Sequence, residues 1–577
     1  MRKGIWLAFA IIFAARSTAA EELQYRERLL ASLLKQVPAI VQSCDLQTGR
    51  FGSGIWICQD QERMYPLAVA YSRAGAGQRY HRDKQLLEVI MKAGDALIGD
   101  MDDKGRWEFR KKDGSTWGPT WMPWTYSRWV RTFALIRDDM PPDRRAAWTK
   151  ALMLGYTGIA RSALGHVHNI PAHHAMGLYA AGQALDRPEW CRQASDFLIK
   201  VVSQQTEGGY WSEGGGPVVL YDFVYLDAVG TYYAMSKDKR VLPALEKGPR
   251  FHWHLTYPDG RSVETVDQRN PYHDTVSLGN VGFTFTPMGR AYLHRQWSRR
   301  GWEHLDADLI ASLLLYGDEG PIEGVSSAQS QETFVLTEGG SARAAVARTG
   351  PWFVCLSAYT TPVVESRWIQ DRQNLASVFH DKTGLILGGG NTKLQPAWSN
   401  FTVGDPSLLT HKPGDANPVF RPQGNLQHVP SAAELSIKPE LGLDLSYGPE
   451  TCRVRVVPKD ERTLEYRVTA TTGAGLPVAA HVTLLPRLGQ TLETAAGQKA
   501  VLGGEALRWG PAQLGDWIAH GGYRLRVPAS AGLNWPALPH NPYRKDGRAT
   551  PGEGRIEICV PFDSQHQEHR LTIEVLP

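Results

Sequence analysis

The feature that most limits how this chain can fold is a change of hydrophobic period near residue 330. Before it, apolar residues recur at helical spacing in segment after segment: LLASLLKQVPAIV, DKQLLEVIMKAGDALI, SRWVRTFALI, RRAAWTKALMLGYTGIARSAL, AMGLYAAGQAL, EWCRQASDFLIKVV, VYLDAVGTYYAM and DLIASLLLY. Breaks such as DDMPPD, LDRPEW and MSKDKR punctuate them as antiparallel helical hairpins are punctuated. About ten or eleven helices fit, with no tight repeat, which points to a curved or closed α/α array whose loops converge on a rim. After the change, short runs such as WFVCLSAY, CRVRVV, LEYRVTATT and RIEICV, many alternating with a period of two, stand between Gly, Pro and Asp turns. The pattern predicts a multidomain α+β chain: an N-terminal (α/α) toroid over residues 21–330, antiparallel β-sandwich layers over residues 331–577, and the active cleft at their junction.

The first twenty residues carry Arg2 and Lys3, an apolar run from Ile5 to Ala15, and small residues ending in Ala-Ala, the layout of a signal peptide. That run is too short to cross a bilayer, and no later run reaches the roughly 18 apolar residues a transmembrane helix needs. The mature chain is therefore expected to be secreted or periplasmic, with no membrane association. Lys and Arg number 63 against 59 Asp and Glu, and the leader removes Arg2, Lys3 and Arg16 and no acid. Near balance argues against a nucleic-acid partner but permits a local basic cleft for an anionic polysaccharide, because fields follow distribution. Export also permits disulfides. Cys44 and Cys58 flank the turn-rich DLQTGRFGSG and are predicted to pair, whereas Cys191, Cys355, Cys452 and Cys559 read equally as buried thiols.

The densest polar cluster in the helical half is HVHNIPAHHAMGLYAAGQAL, from His166 to Leu185. Proline is tolerated in a first helical turn, so Pro171 sets a helix start near Asn169, and Asn169 and His173 share a face at i and i+4. The end of a helix that carries partial positive charge favours a carboxylate. A cap and satisfied histidines, or histidine ligands to a metal, are the competing readings, although HxHNxPxHH lacks the HExxH pattern. A second cluster, GGYWSEGGGPVVLYDFVYLDAVGTYYAM, presents Trp211 and Glu213 on a Gly-rich turn ahead of a helix bearing Tyr221 and Tyr225. Upstream, WGPTWMPWTYSRWVR supplies Trp117, Trp121, Trp124 and Trp129 with Arg128 and Arg131. Sugar rings stack on such faces and arginine matches carboxylate or sulfate, so Trp121, Trp124 and Arg128 are candidate substrate contacts. The rim loop that ends at Arg269 and Tyr272 is a further candidate.

With these clusters the chain resembles the heparinase II/III-like and related alginate lyases, which join an α/α toroid to an antiparallel β-sandwich. There, an Asn or His at the start of one toroid helix precedes a catalytic Tyr on a later helix, after a Gly-rich stretch with an acid. Asn169, Glu213 and Tyr221 follow that order, and VLYDFVYLDA resembles the Tyr-bearing helix. This chain reads His168-Asn169 where the family often reads Asn-His. The family's HxHxD stretch is replaced by SRWIQDRQNLASVFHDKTGLILGGG, which offers Arg367, Arg372, Asn374 and His380. The resemblance implies β-elimination on a uronate polymer of the glycosaminoglycan, alginate or glucuronan type. The C5 proton is weakly acidic, so the neighbouring carboxylate must be neutralised before it leaves. Asn169 is assigned to that neutralisation, Tyr221 to acid/base transfer, and His173 to the auxiliary role, with His168 and His174 as alternatives and Trp211, Glu213 and Tyr225 beside them. The elimination needs no cofactor, and a structural divalent metal is left open. Two rivals remain: a toroid glycoside hydrolase using Glu213 with Asp222 or Asp227, and a non-catalytic carbohydrate-binding protein.

Overall fold

Two kinds of helix alternate along the first half of the chain. The computed structural model describes residues 21–52, 60–75, 78–110, 114–269, 271–272, 275–322, 332–412 and 414–577, so the leader and the Cys44–Cys58 pairing lie outside the described residues. The helices are α1 (Arg26–Gln42), α2 (Met64–Ser72), α3 (Lys84–Asp100), α4 (Pro123–Ile136), α5 (Pro142–Ser162), α6 (Asn169–Ala184), α7 (Pro188–Ser203), α8 (Val219–Ser236), α9 (Leu242–His254), α10 (Pro287–Arg300) and α11 (Ala307–Tyr316). Helix α7 buries a single stripe of Trp190, Ala194, Phe197, Leu198 and Val201, as a helix with one wet face does. Helix α2 buries every residue from Met64 to Tyr71, and α6 is buried nearly all round. Helices apolar on all sides belong inside. Accordingly α2 packs on α4, α4 on α6 and α6 on α8, a 3-10 turn at Val281–Phe285 bridges onward, and α11 returns to α2. The remaining helices form an outer layer.

The ring is sealed by a small set of polar contacts. Glu22–Leu23 pairs antiparallel with Gly320–Pro321. The Glu319 carboxylate accepts the backbone N–H groups of Tyr25 and Arg26, the unpartnered donors at the start of α1. In return the Arg26 guanidinium donates to the carbonyls of Leu314 and Gly317 at the end of α11. Each helix end thus meets the charge its dipole prefers. Glu319→Ala should lower unfolding free energy by about 1.5–3 kcal/mol, the worth of a hydrogen bond to a charged group. Urea unfolding checks this, and an unchanged midpoint would show that the seam is held elsewhere.

The second half is antiparallel throughout, in one ten-stranded and one nine-stranded sheet. Their facing sides build a shared core in which Trp352, Val354 and Leu356 meet Leu443, Leu445 and Tyr466. Strand Thr463–Ala470 alternates buried and half-buried positions, as a sheet wet on one face must. Strand Trp352–Ser357 is buried at every position. Its alternate residues Phe353 and Cys355 pack against Phe251, Tyr257 and Val263 of the helical half, so its continuous apolar sequence reflects two covered faces. The toroid is therefore docked on the outer face of one sheet.

Among the described residues no helix is long and apolar enough to cross a membrane. Helical spacing gave no hint of a hairpin inside the first half, Trp107–Arg110 with Thr116–Thr120. The rim loop that follows α9 opens with a turn at Tyr257–Gly260 closed by one antiparallel bridge, Thr256 to Ser262.

Candidate active site

Helix α6 starts at Asn169 with His168 as its cap residue, but no side chain of its own caps it. The Glu213 carboxylate does so instead. It accepts the Asn169 N–H at 3.1 Å and the Asn169 Nδ2 at 3.0 Å, and it meets His168 Nδ1 at 2.8 Å and the Tyr225 hydroxyl at 2.5 Å. A carboxylate is what this helix end favours, and the Gly-rich turn brings an internal one to it. The Asn169 amide therefore has a different partner from the substrate carboxylate anticipated from the sequence. Glu213 is also a buried hub rather than an open substrate contact, since only 6% of its side chain is exposed.

The histidines separate by burial. His173 lies 3.0 Å from Ser127 Oγ through Nε2, packs 5.6 Å from the Trp124 ring, and is covered. Burial, with Arg128 and Arg131 nearby, holds its pKa well below the usual histidine range. His174 is also covered, and burial lowers its pKa to about 3 against the pull of a bond to the Trp121 backbone. Both rings are covered, so neither His173, assigned above to the auxiliary role, nor its alternative His174 faces an open cleft. His168 is 46% exposed and is held through Nδ1 by Glu213.

Tyr221 stands in the first turn of α8, the inner helix next to α6, and is half-buried. Asp267 accepts the Val219 N–H at 2.7 Å and the Arg269 N–H at 2.6 Å, so one carboxylate caps α8 and fixes Arg269. The Arg269 guanidinium lies 5.2 Å from the Tyr221 ring and 5.4 Å from the Trp368 ring. Burial and a hydrogen bond with Tyr543 push the Tyr221 pKa up while Arg269 pulls it down, so the free protein holds a neutral phenol. Trp368 meets Trp117 edge-on at 5.2 Å and Tyr543 at 5.6 Å, and Trp117 stacks on Phe109 at 4.9 Å. Arg367 flanks Trp368 and donates to the carbonyls of Arg544 and Lys545 at 3.1 Å. The wall so formed draws on the unforeseen hairpin, the rim loop and two loops of the sandwich. Beside it lies a cavity of about 400 Å³ lined by Arg269, Arg487, Arg544 and Arg555, with Glu553 as the single acid among its described lining residues.

Other expected contacts are structural. Trp211 is buried, stacks on Tyr225 at 4.8 Å and donates its indole N–H to the Val201 carbonyl. Tyr225 is covered as well, its hydroxyl spent on Glu213. Arg372 is fully buried, donating to the Val266 carbonyl at 2.6 Å, and burial lowers its pKa to about 10. Asn374 gives its amide to Thr483 Oγ1 at 2.8 Å, and His380 bonds the Glu461 carbonyl at 2.9 Å. All five brace the interior, each spent on a backbone or side-chain partner, and of these contacts only that of Arg372 joins the sandwich to the helical half. Trp121 and Trp124 are half-buried, and Trp121 donates to the Lys104 carbonyl. Arg128 is gripped by Asp308 at 2.6 and 2.5 Å, with Glu62 at 3.7 Å, so its charge is already answered. Burial pushes the Glu62 pKa up to about 7, outweighing Arg128. No motif announced this cluster at the centre of the ring, because Glu62, Arg128 and Asp308 are far apart in sequence and meet only when it closes. Asp222 is buried and accepts the Trp211 N–H at 2.8 Å, so it forms no open carboxylate pair with Glu213.

No family model matches the chain, and its sequence finds no match among curated proteins. Solved structures do share its architecture. A chondroitin AC lyase of Streptomyces coelicolor A3, in complex with chondroitin sulphate, superposes with a TM-score of 0.51 at 15% identity, covering 96% of this chain and 79% of that one. Heparinase III gives 0.50 at 11% identity, covering 90% and 77%. At such identity the likeness establishes the fold, a toroid joined to β-sandwich layers, as the resemblance implied.

Proposed function

We propose that this chain is an exported polysaccharide lyase that cleaves a uronate-containing polymer by β-elimination where the toroid meets the sandwich. The observation that carries this reading is Tyr221 held beside Arg269, next to an arginine-lined cavity. Arg269, with the exposed Arg544 and half-buried Arg487 of the cavity, neutralises the uronate carboxylate, which acidifies C5–H. His168, in the tautomer that donates Nδ1–H to Glu213, offers Nε2 to take that proton. The electron pair forms the C4–C5 double bond, the C4–O bond breaks, and the neutral Tyr221 phenol gives its proton to the departing oxygen. Water then restores both groups. Asn169 acts through Glu213, as a positioning residue. The aromatic wall of Trp117, Trp368 and Tyr543 supports stacking of the sugar rings. The chondroitin sulphate bound by the structural neighbour supports an anionic polysaccharide as partner.

Incubating the purified protein with alginate, glucuronan, hyaluronan, chondroitin and heparan-type polymers tests this. Elimination leaves a C4–C5 unsaturated end, so ultraviolet absorbance should rise with at least one of them. Saturated products would establish a hydrolase, and polymer binding without products a carbohydrate-binding protein.

A further inference from the structure

The sandwich contains a second cluster that the proposed elimination does not use. On strand Arg555–Phe562, Glu557 and Cys559 are two residues apart and so share a face. His481, on the neighbouring strand Val478–Leu484, lies directly opposite Cys559 in the register. One imidazole nitrogen, one carboxylate oxygen and the thiol sulfur all fall within 4.8 Å of one another. His481 Nδ1 is 2.7 Å from Glu557 Oε1, and Nε2 is 2.8 Å from Thr402 Oγ1. His481 and Glu557 are buried, whereas Cys559 is half-buried and borders, with Glu557, a cavity of about 550 Å³ that Gln395, Trp509 and Asn534 also line.

We propose that His481, Glu557 and Cys559 form a divalent metal site for zinc or a similar borderline-soft ion, with a fourth coordination position open to this cavity. A bound metal would select the tautomer in which Nε2–H is donated to Thr402, so that the Nδ1 lone pair replaces the present Nδ1 contact with the carboxylate. A lone pair, a carboxylate and an ionisable thiol converging on one point call for a cation between them. Tetrahedral bonds of about 2.0–2.3 Å would set neighbouring ligand atoms roughly 3.3–3.6 Å apart, inside the observed spread and needing only slight widening at Nδ1 and Oε1. A Cys-His-Glu nucleophile would need one ring nitrogen on the carboxylate and the other on sulfur. Thr402 holds that second nitrogen, which favours the metal. Three protein ligands with an approach from a cavity is the arrangement of an open zinc site, not a closed structural one.

The test uses the whole protein, kept reduced and stripped with chelator, and Co²⁺ alone as the probe. One equivalent should bind, with tetrahedral visible bands and a sulfur-to-cobalt charge-transfer band. Cys559→Ser, nearly isosteric, should abolish the charge-transfer band while its circular dichroism and unfolding midpoint stay those of the parent. Thr402→Val should weaken affinity about 10–100-fold through the lost second contact to the histidine. Added azide should shift the visible bands if the fourth position is open. Absence of stoichiometric binding, a charge-transfer band that survives in Cys559→Ser, or a spectrum indifferent to azide would each overturn the proposal. None of these readouts depends on polymer cleavage.

Discussion

Tyr221→Phe is expected to lose at least about two orders of magnitude in kcat, the scale of a general acid or base. The phenylalanine ring keeps the packing against Arg269 and removes only the hydroxyl, so the geometry of the α8 start should survive. Because Tyr221 is neutral in the free protein, the lost function is proton donation to the departing oxygen, a step that belongs to the transition state. KM should therefore move far less than kcat. A substrate whose leaving group needs no protonation, such as a uronide with an acidic phenol as aglycone, should be cleaved by the variant nearly as well as by the parent. Equal losses on both substrates would remove Tyr221 from the acid role, and an undiminished variant would remove it from the mechanism.

The second large effect concerns stability. His252 on α9 is fully buried, stacks on Phe223 at 3.9 Å, lies near Phe283 and Tyr292, and has no hydrogen bond at either ring nitrogen among the described residues. Burial alone lowers its pKa to about 3. The unfolded chain binds a proton near pH 6.5 and the folded one does not, so stability falls as pH drops below that value and the loss ends near pH 3. The slope is about 1.4 kcal/mol per pH unit, or roughly 4–5 kcal/mol over the window. His252→Phe removes the proton site and suits the aromatic surroundings. Its stability relative to the parent should therefore rise by about 2.3 kcal/mol between pH 6.5 and pH 4.5. Parallel urea titrations measure the difference directly, and a constant difference would mean that the ring is solvated. The buried carboxyls of Glu62 and Glu264, each pushed up to about 7, act in the opposite sense above pH 4.5, but they cancel between parent and variant.

What the sequence revealed depended on how far apart the cooperating residues lie. Helix and strand identity is set by local periodicity, so α7 and strand Thr463–Ala470 could be read directly. The clustering of Asn169, Glu213 and Tyr225 was also within reach, because a helix start and a Gly-rich turn both leave sequence marks. The choice among histidines was not. His168 and His173 differ in exposure only because Trp124 and Ser127, from another inner helix, cover the latter. Spacing likewise could not tell that Trp211 turns inward onto Tyr225. The pairing of Tyr221 with Arg269 and Tyr543 spans three regions and exists only after the domains dock. The Trp107–Thr120 hairpin escaped notice since two short strands cannot establish a period.

The Glu319 seam also governs when the ring can exist. Its contacts to Tyr25 and Arg26 join positions 294 and 293 residues apart. At a synthesis rate of about 5–20 residues per second, α1 is made roughly 15–60 s before its partner. During that interval Leu29, Leu33 and Val37 have no α11 to cover them, and an amphipathic helix of this kind is exposed to mispairing. Joining the ends of so long a segment also costs about 2.4 kcal/mol more loop-closure entropy than joining a 20-residue hairpin. Among the described helices the earliest made is thus the last to be locked, and seam variants such as Glu319→Ala should lengthen the aggregation-prone phase of folding more than they alter the finished protein.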